Sequence, residues 1–118
     1  MIGVMVDTFP VPYYAVIFTS ARTAQDDAGY QHAAQRMLER VQAQPGFLGV
    51  ESVRSEDGLG ITVSYWASEA AILGWRNDPE HEAIREKGRL IWYRHCTTRV
   101  VKVERNYKSV LDHGHMTP

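Results

Sequence analysis

Residues 13–19 run aromatic, β-branched or small at every position (Tyr-Tyr-Ala-Val-Ile-Phe-Thr), with Pro10 and Pro12 just upstream. The run is too short for a typical helix and predicts a first strand. The pattern then changes. Thr23 and the acidic pair Asp26 and Asp27 offer a helix start, after which Tyr30, Ala33, Ala34, Met37, Leu38 and Val41 recur at three-and-four spacing until Pro45-Gly46. That spacing places them on one face of an amphipathic helix. Residues 48–54 and 61–66 are two further β-rich runs, and Ser55-Glu56-Asp57-Gly58 lies between them. Asp-Gly tolerates the positive φ that tight turns require, so these runs predict a hairpin.

Ser68 can cap a short helix through Trp75. Asn77-Asp78-Pro79-Glu80 then reads as a second start, with Asp78 as cap and Pro79 at the first helical position, so the helical region is broken in two. Its second half is expected to run to about residue 94. Residues 97–107 alternate well enough to predict a fourth strand. The order β-α-β-β-α-β is the ferredoxin-like α+β arrangement with a four-stranded antiparallel sheet. Leu48, Val50 and Val53 in the second strand, and Val100, Val101 and Val103 in the fourth, put apolar groups on both faces of that sheet. Two helices can cover only one face, so the other is expected to be buried by a second subunit, giving a homodimer.

Composition narrows the class without naming a chemistry. The 118 residues are 44% hydrophobic and 23% charged, the balance of one ordinary globular domain. We expect a single domain over residues 1–118, with its core at 13–107 and flexible or extended termini at 1–12 and 108–118. A formal net charge of -1 offers no general field for phosphates or anionic lipid, which argues against nucleic acid and membrane surfaces as partners. The single cysteine, Cys96, suits a reducing cytoplasm, and beside His95 it is read as packing, since adjacent strand residues point to opposite faces. Residues 1–10 carry Asp7 but neither Lys nor Arg, unlike a secretory signal, and no apolar run approaches the roughly 20 residues that span a bilayer. His113-Gly114-His115 near the end is read as a solvated tail. No glycine-rich phosphate loop or convincing ligand cluster is present, so neither metal nor redox cofactor is expected.

The runs Gln44-Pro45-Gly46-Phe47-Leu48-Gly49-Val50-Glu51, Ile61-Thr62-Val63-Ser64-Tyr65-Trp66, Glu80-His81, and Gly88-Arg89 followed by Trp92-Tyr93, with the closing Val103-Glu104-Arg105, resemble the antibiotic biosynthesis monooxygenase family. The likeness covers residues 13–107. It implies a dimeric α+β barrel in which two sheets pack face to face, each subunit keeping a pocket between its own sheet and helices. Family members include cofactor-free oxygenases of polycyclic phenols, haem-degrading enzymes and small dehalogenase- or isomerase-like relatives, and fold alone does not choose among them. In the haem-degrading relatives the iron-binding histidine corresponds to Arg85 here, and a strand-one asparagine has no counterpart, which demotes haem without excluding it, since His81 could ligate iron from one turn earlier. A dimeric module that binds a small aromatic or lipophilic metabolite without turnover is a third reading.

Cofactor-free oxygenation requires a dry pocket and a base that removes a phenolic proton, because only the anion readily passes an electron to oxygen. His81 is the expected base: three residues into a helix, its imidazole lies near the positive end of the dipole, which favours the neutral form. Ile84, Arg85, Gly88 and Trp92 follow at three-and-four spacing, so one helix face could carry base, cation and aromatic wall. Arg85 or Arg89 could hold a phenolate. Trp66, at the end of strand three, is the favoured tryptophan for lining a ring-binding pocket, ahead of Trp75 and Trp92, and Tyr65 and Tyr14 could donate to a substrate oxygen.

Overall fold

The computed structural model describes residues 5–111. Its elements are β1 (Tyr13–Arg22), α1 (Asp27–Val41), β2 (Phe47–Arg54), β3 (Leu59–Trp66), α2 (Glu69–Arg76), α3 (Pro79–Lys87), a turn of π-helix (Gly88–Trp92) and β4 (Tyr93–Val103). The strands form one sheet in the order β2-β3-β1-β4 with every pair antiparallel, the ferredoxin-like topology expected from the element order. The tail histidines His113 and His115 lie outside the described residues. Among the described residues no helix is long and apolar enough to cross a membrane.

Local chemistry explains most element boundaries. Asp26 caps α1 by accepting from the Gly29 amide, Ser68 caps α2 by accepting from Ala71, and Asp78 caps α3 by accepting from both Glu80 and His81. Pro79 occupies the first turn of α3, where its missing N–H costs nothing. Gly58 adopts φ 94° in the β2–β3 hairpin, a conformation an L side chain resists, and its carbonyl accepts from the Arg22 amide at 3.0 Å.

Register sorts the sheet into two faces. Tyr14 stands opposite Trp66 and Lys102, Phe18 opposite Thr62 and Thr98, and Ser20 opposite Gly60 and Cys96. This is the helix-covered face, because Arg22, two residues beyond Ser20, lays its guanidinium 3.9 Å over the Tyr30 ring of α1. Trp66 is fully buried there, edge-on to Phe47 at 5.3 Å, with its indole N–H donated to Ser64 Oγ at 2.9 Å. The opposite face carries Tyr13, Ala15, Ile17, Val63 and Tyr65. Its Tyr13 end is crossed by the N-terminal segment. Phe9 packs against Tyr13 and Tyr65 at centroid distances of 5.4 and 5.8 Å, and the Val6 amide donates to Glu51 at 3.0 Å. Beyond it, Val53, Leu59, Ile61 and Val101 are 65, 52, 43 and 39% exposed among the described residues.

Three expectations need correcting. The second half of the broken helix does not continue to residue 94, because α3 ends at Lys87 and one π-turn leads into β4 at Tyr93. Backbone capture explains the stop. The Trp92 carbonyl accepts from the Thr23 amide at 2.8 Å and from Arg22 Nη1 at 2.9 Å, and the Ile91 carbonyl accepts from Thr23 Oγ1 at 2.7 Å, so both acceptors are committed to β1 and the residue after it. The fourth strand accordingly starts at Tyr93 rather than at Thr97 and ends at Val103. Cys96 is exposed rather than packed, and Val100, on the same face of edge strand β4, is half exposed as well.

Replacing Trp66 by Ala deletes the largest fully buried side chain and leaves Phe47 without its partner. We expect a loss of about 3–5 kcal/mol in chemical denaturation, whereas Val53→Ala at the exposed edge should change stability by under about 0.5 kcal/mol in the single chain.

Candidate functional site

The start of α3 is held from α1. Arg40 makes a two-pronged ion pair with Asp78, both contacts at 2.8 Å, and Arg36 binds Glu80. The guanidinium of Arg40, with two backbone amides assisting, holds the Asp78 carboxyl down to about 2. The Asn77-Asp78-Pro79 break folds the chain back so that His81 lies flat on Trp75, ring centroids 4.2 Å apart and planes 11° apart. His81 Nδ1 is 2.9 Å from the Trp75 carbonyl oxygen. A carbonyl can only accept, so Nδ1 carries the ring proton and Nε2 the lone pair.

Nε2 makes no hydrogen bond among the described residues, and none of their buried side-chain nitrogens or oxygens lacks a partner, so Nε2 reaches open space. Burial lowers the imidazole pKa below its ordinary value and nearby Arg85 lowers it further, outweighing the Trp75 carbonyl and Asp78, which raise it. His81 is therefore a neutral acceptor at neutral pH. Desolvation by burial is the largest cause.

The other expected site residues divide into groups. Arg85 stays beside His81, half-buried, its Nη1 directed to the Arg76 carbonyl at 3.4 Å. Tyr14 and Trp66 are cross-strand neighbours on the helix-covered face. Tyr65 lies on the opposite face, where its hydroxyl donates to Glu51 at 2.6 Å, and burial with that carboxylate drives its phenol pKa far upward. Trp92 is buried against α1, edge-on to Tyr30 at 5.9 Å with its indole N–H donated to Asp26 at 3.2 Å. The π-turn removes Trp92 from the helical register of His81, and Arg89 is exposed and paired with Glu86. His81 and Arg85 thus meet, as do Tyr14 and Trp66, while Tyr65, Trp92 and Arg89 go elsewhere.

Arg40, which holds the helix of His81, has no part in the site expected from sequence, and Trp75 enters it only as a lesser candidate for lining a ring-binding pocket, not as the partner of His81. Trp75 had a signal: it precedes His81 by six residues across a Pro-containing break, a spacing that lets the chain reverse and stack the two rings. Arg40 had none, because its partner Asp78 is 38 residues away. Two clefts of about 360 and 350 Å³ open on this layer, one lined by Arg22, Tyr30 and Arg54, the other by Ala33, Ile84, Lys87 and Trp92. His81 lines neither. No group of three or more His, Cys, Asp or Glu side chains suited to a metal ion occurs among the described residues.

Comparison with known proteins agrees with the fold and supplies a family. The profile of the antibiotic biosynthesis monooxygenase family matches residues 12–87. YqjZ of Bacillus subtilis (strain 168), an uncharacterized protein, is 56% identical over 94 residues, which cover 80% of this chain and 82% of YqjZ. Rv0793 from Mycobacterium tuberculosis superposes with a TM-score of 0.70 at 16% identity, covering 82% of this chain and 99% of its own. PA3566 from Pseudomonas aeruginosa gives 0.66 at 12% identity, over 85% of this chain and all 100% of its own. At such identities the two structures speak for the fold alone. With a family profile across more than half its length, this chain belongs to the antibiotic biosynthesis monooxygenase family.

Proposed function

We propose that this protein is a homodimeric, cofactor-independent monooxygenase acting on a small aromatic phenol or quinol, with His81 as general base. Family membership supports a monooxygenase-type activity. The finer reading is carried by one observation: His81 is held neutral, with Nδ1 committed to the Trp75 carbonyl and Nε2 free to accept a proton. Nε2 takes the phenolic proton, and the Arg85 guanidinium beside it offsets the negative charge that develops on substrate. The anion gives electrons to dioxygen. One oxygen atom joins ring carbon and becomes a quinone carbonyl, and the other leaves as water with two hydrogens from the substrate, so no external reductant is consumed. Tyr14 is the proposed aromatic wall on the sheet side, with the fully buried Trp66 behind it.

The open sheet face supports the dimer. Val53, Leu59, Ile61 and Val101 lie on that face, each more than a third exposed, and a second copy of the same face would bury them as an isologous interface. Light scattering at micromolar concentration should give twice the 13.4 kDa chain mass, and Ile61→Asp should shift it to monomer. A clean wild-type monomer would remove this part of the proposal.

His81→Ala should keep the fold and dimer while lowering oxygen uptake with a quinol by about 100- to 10,000-fold. A small change, or lost thermal stability with uptake per folded molecule unchanged, would make His81 structural. The pH dependence has a defined sign. Because the folded pKa lies below the ordinary 6.5, the accepting form persists through neutral pH, and kcat/KM should fall only on acidification below that value. Stability should fall over the same window, since between the two pKa values the unfolded chain binds the proton and the native chain does not. His81→Gln should flatten that stability loss.

A further inference from the structure

At the end of the sheet remote from Tyr14 and Trp66, the cleft of about 360 Å³ lies between the start of α1, the end of β1 and the β2–β3 hairpin. Two guanidinium groups form its charged wall, with Arg22 Cζ 3.9 Å and Arg54 Cζ 5.7 Å from the centroid of one ring, that of Tyr30. Like charges sharing one ring require counter-charge, and of the three carboxylates that line the cleft, Asp27, Glu56 and Asp57, only Asp27 reaches ion-pair distance of either guanidinium. Arg22 meets Asp27 at 3.0 Å, a carboxylate that is itself largely exposed, and otherwise donates to the Trp92 carbonyl. Arg54 meets no carboxylate among the described residues. Its hydrogen bonds go to the carbonyls of Ser20 and Gly58 and to the hydroxyls of Ser20 and Tyr30. It is half-buried, so its charge is only partly screened by water.

The Nε–H groups of both arginines make no hydrogen bond among the described residues. Since none of those residues has a buried side-chain nitrogen without a partner, both donors reach accessible space, even though Arg22 as a residue is buried. Guanidinium N–H donors beside open space are suited to planar or tetrahedral oxyanions. The hairpin supplies two carboxylates at the mouth. Asp57 is committed to Ser55 Oγ and the Leu59 amide, and Glu56 is exposed and makes no hydrogen bond among the described residues. Asp27, Glu56 and Asp57 do not assemble as a metal-ligating group.

We propose that this cleft binds the carboxylate or phosphate group of a small metabolite, with Arg54 as the principal anchor, Arg22 assisting and Glu56 weakening capture at the mouth. The site is separate from the base proposed above: neither His81 nor Trp75 lines the cleft.

The test is titration of the full-length protein with inorganic phosphate and, separately, with benzoate at low salt, followed by calorimetry and amide-resolved NMR. At least one anion should bind saturably at one per chain, moving the Gly58 amide and the Arg54 Nε–H. Phosphate alone would identify a phosphate ligand and benzoate alone a carboxylate, and both would identify a general oxyanion site. Arg54→Gln should weaken binding roughly 10-fold or more. Because Arg54 also supports Ser20 and Gly58, the exposed Glu56→Gln provides the second variant, and removing its repulsion should tighten binding about 2- to 5-fold. No saturation by either anion up to about 10 mM, or an affinity unchanged in Glu56→Gln, would overturn the proposal.

Discussion

The capture of Trp92 by the end of β1 is the constraint on which the rest of the structure depends. Its carbonyl accepts from the Thr23 amide and Arg22 Nη1, and its indole N–H is held by Asp26. Asp26 adopts φ 50°, a left-handed conformation costly for a non-glycine residue, and both of its carboxylate oxygens are occupied, one by the Gly29 amide and one by Trp92. Gly29 is required for this arrangement, since a Cβ there would lie 2.1 Å from Asp26 Oδ2. One junction therefore starts α1, stops the helical layer and sets β4 running antiparallel to β1.

Fixing that junction separates the helix-covered face into two chemical regions. At one end, Tyr14, Trp66 and Phe47 form an aromatic wall. At the other, Arg22 is drawn inward by Trp92 and Tyr30, and Arg54 joins it from the hairpin. The break between α2 and α3 is secured independently, by Arg40 on Asp78 and Arg36 on Glu80. The Arg36 pair, partly exposed on both sides, adds little stability alone, but together the pairs fix the angle at which His81 meets Trp75. Burial is the largest cause that lowers the His81 pKa, and the adjacent Arg85 adds to it.

The opposite face shows why aromatic residues are not interchangeable as site candidates. Tyr65 and Trp66 are adjacent in sequence, yet the two-residue period of a strand sends one toward Glu51 and the other into the helix-covered core. Phe9 and Val6 then cover Tyr65 from outside, with Val6 Cγ1 only 3.2 Å from where a Gly49 Cβ would stand. On the remainder of the face Val53, Leu59, Ile61 and Val101 stay more than a third exposed among the described residues.

Much of this architecture was legible in local chemistry. The two-residue and three-to-four-residue periods located all four strands and the first helix, Ser68 and Asp78-Pro79 marked two helix starts, and Asp57-Gly58 marked the hairpin, because each is a short-range preference of backbone or side chain. The end of the second helical segment was not legible. Leu90 and Ile91 continue an apolar pattern compatible with helix, and the stop comes from donors on Arg22 and Thr23, about 70 residues earlier in the chain. The same holds for the site. His81 could be singled out from its place after Asp78-Pro79, and Arg85 from helical spacing. Which ring nitrogen carries the proton, which face Tyr65 occupies, and the pairing of Arg22 with Arg54 over Tyr30 were decided only by tertiary contacts, since each depends on the position of a group that sequence spacing does not determine.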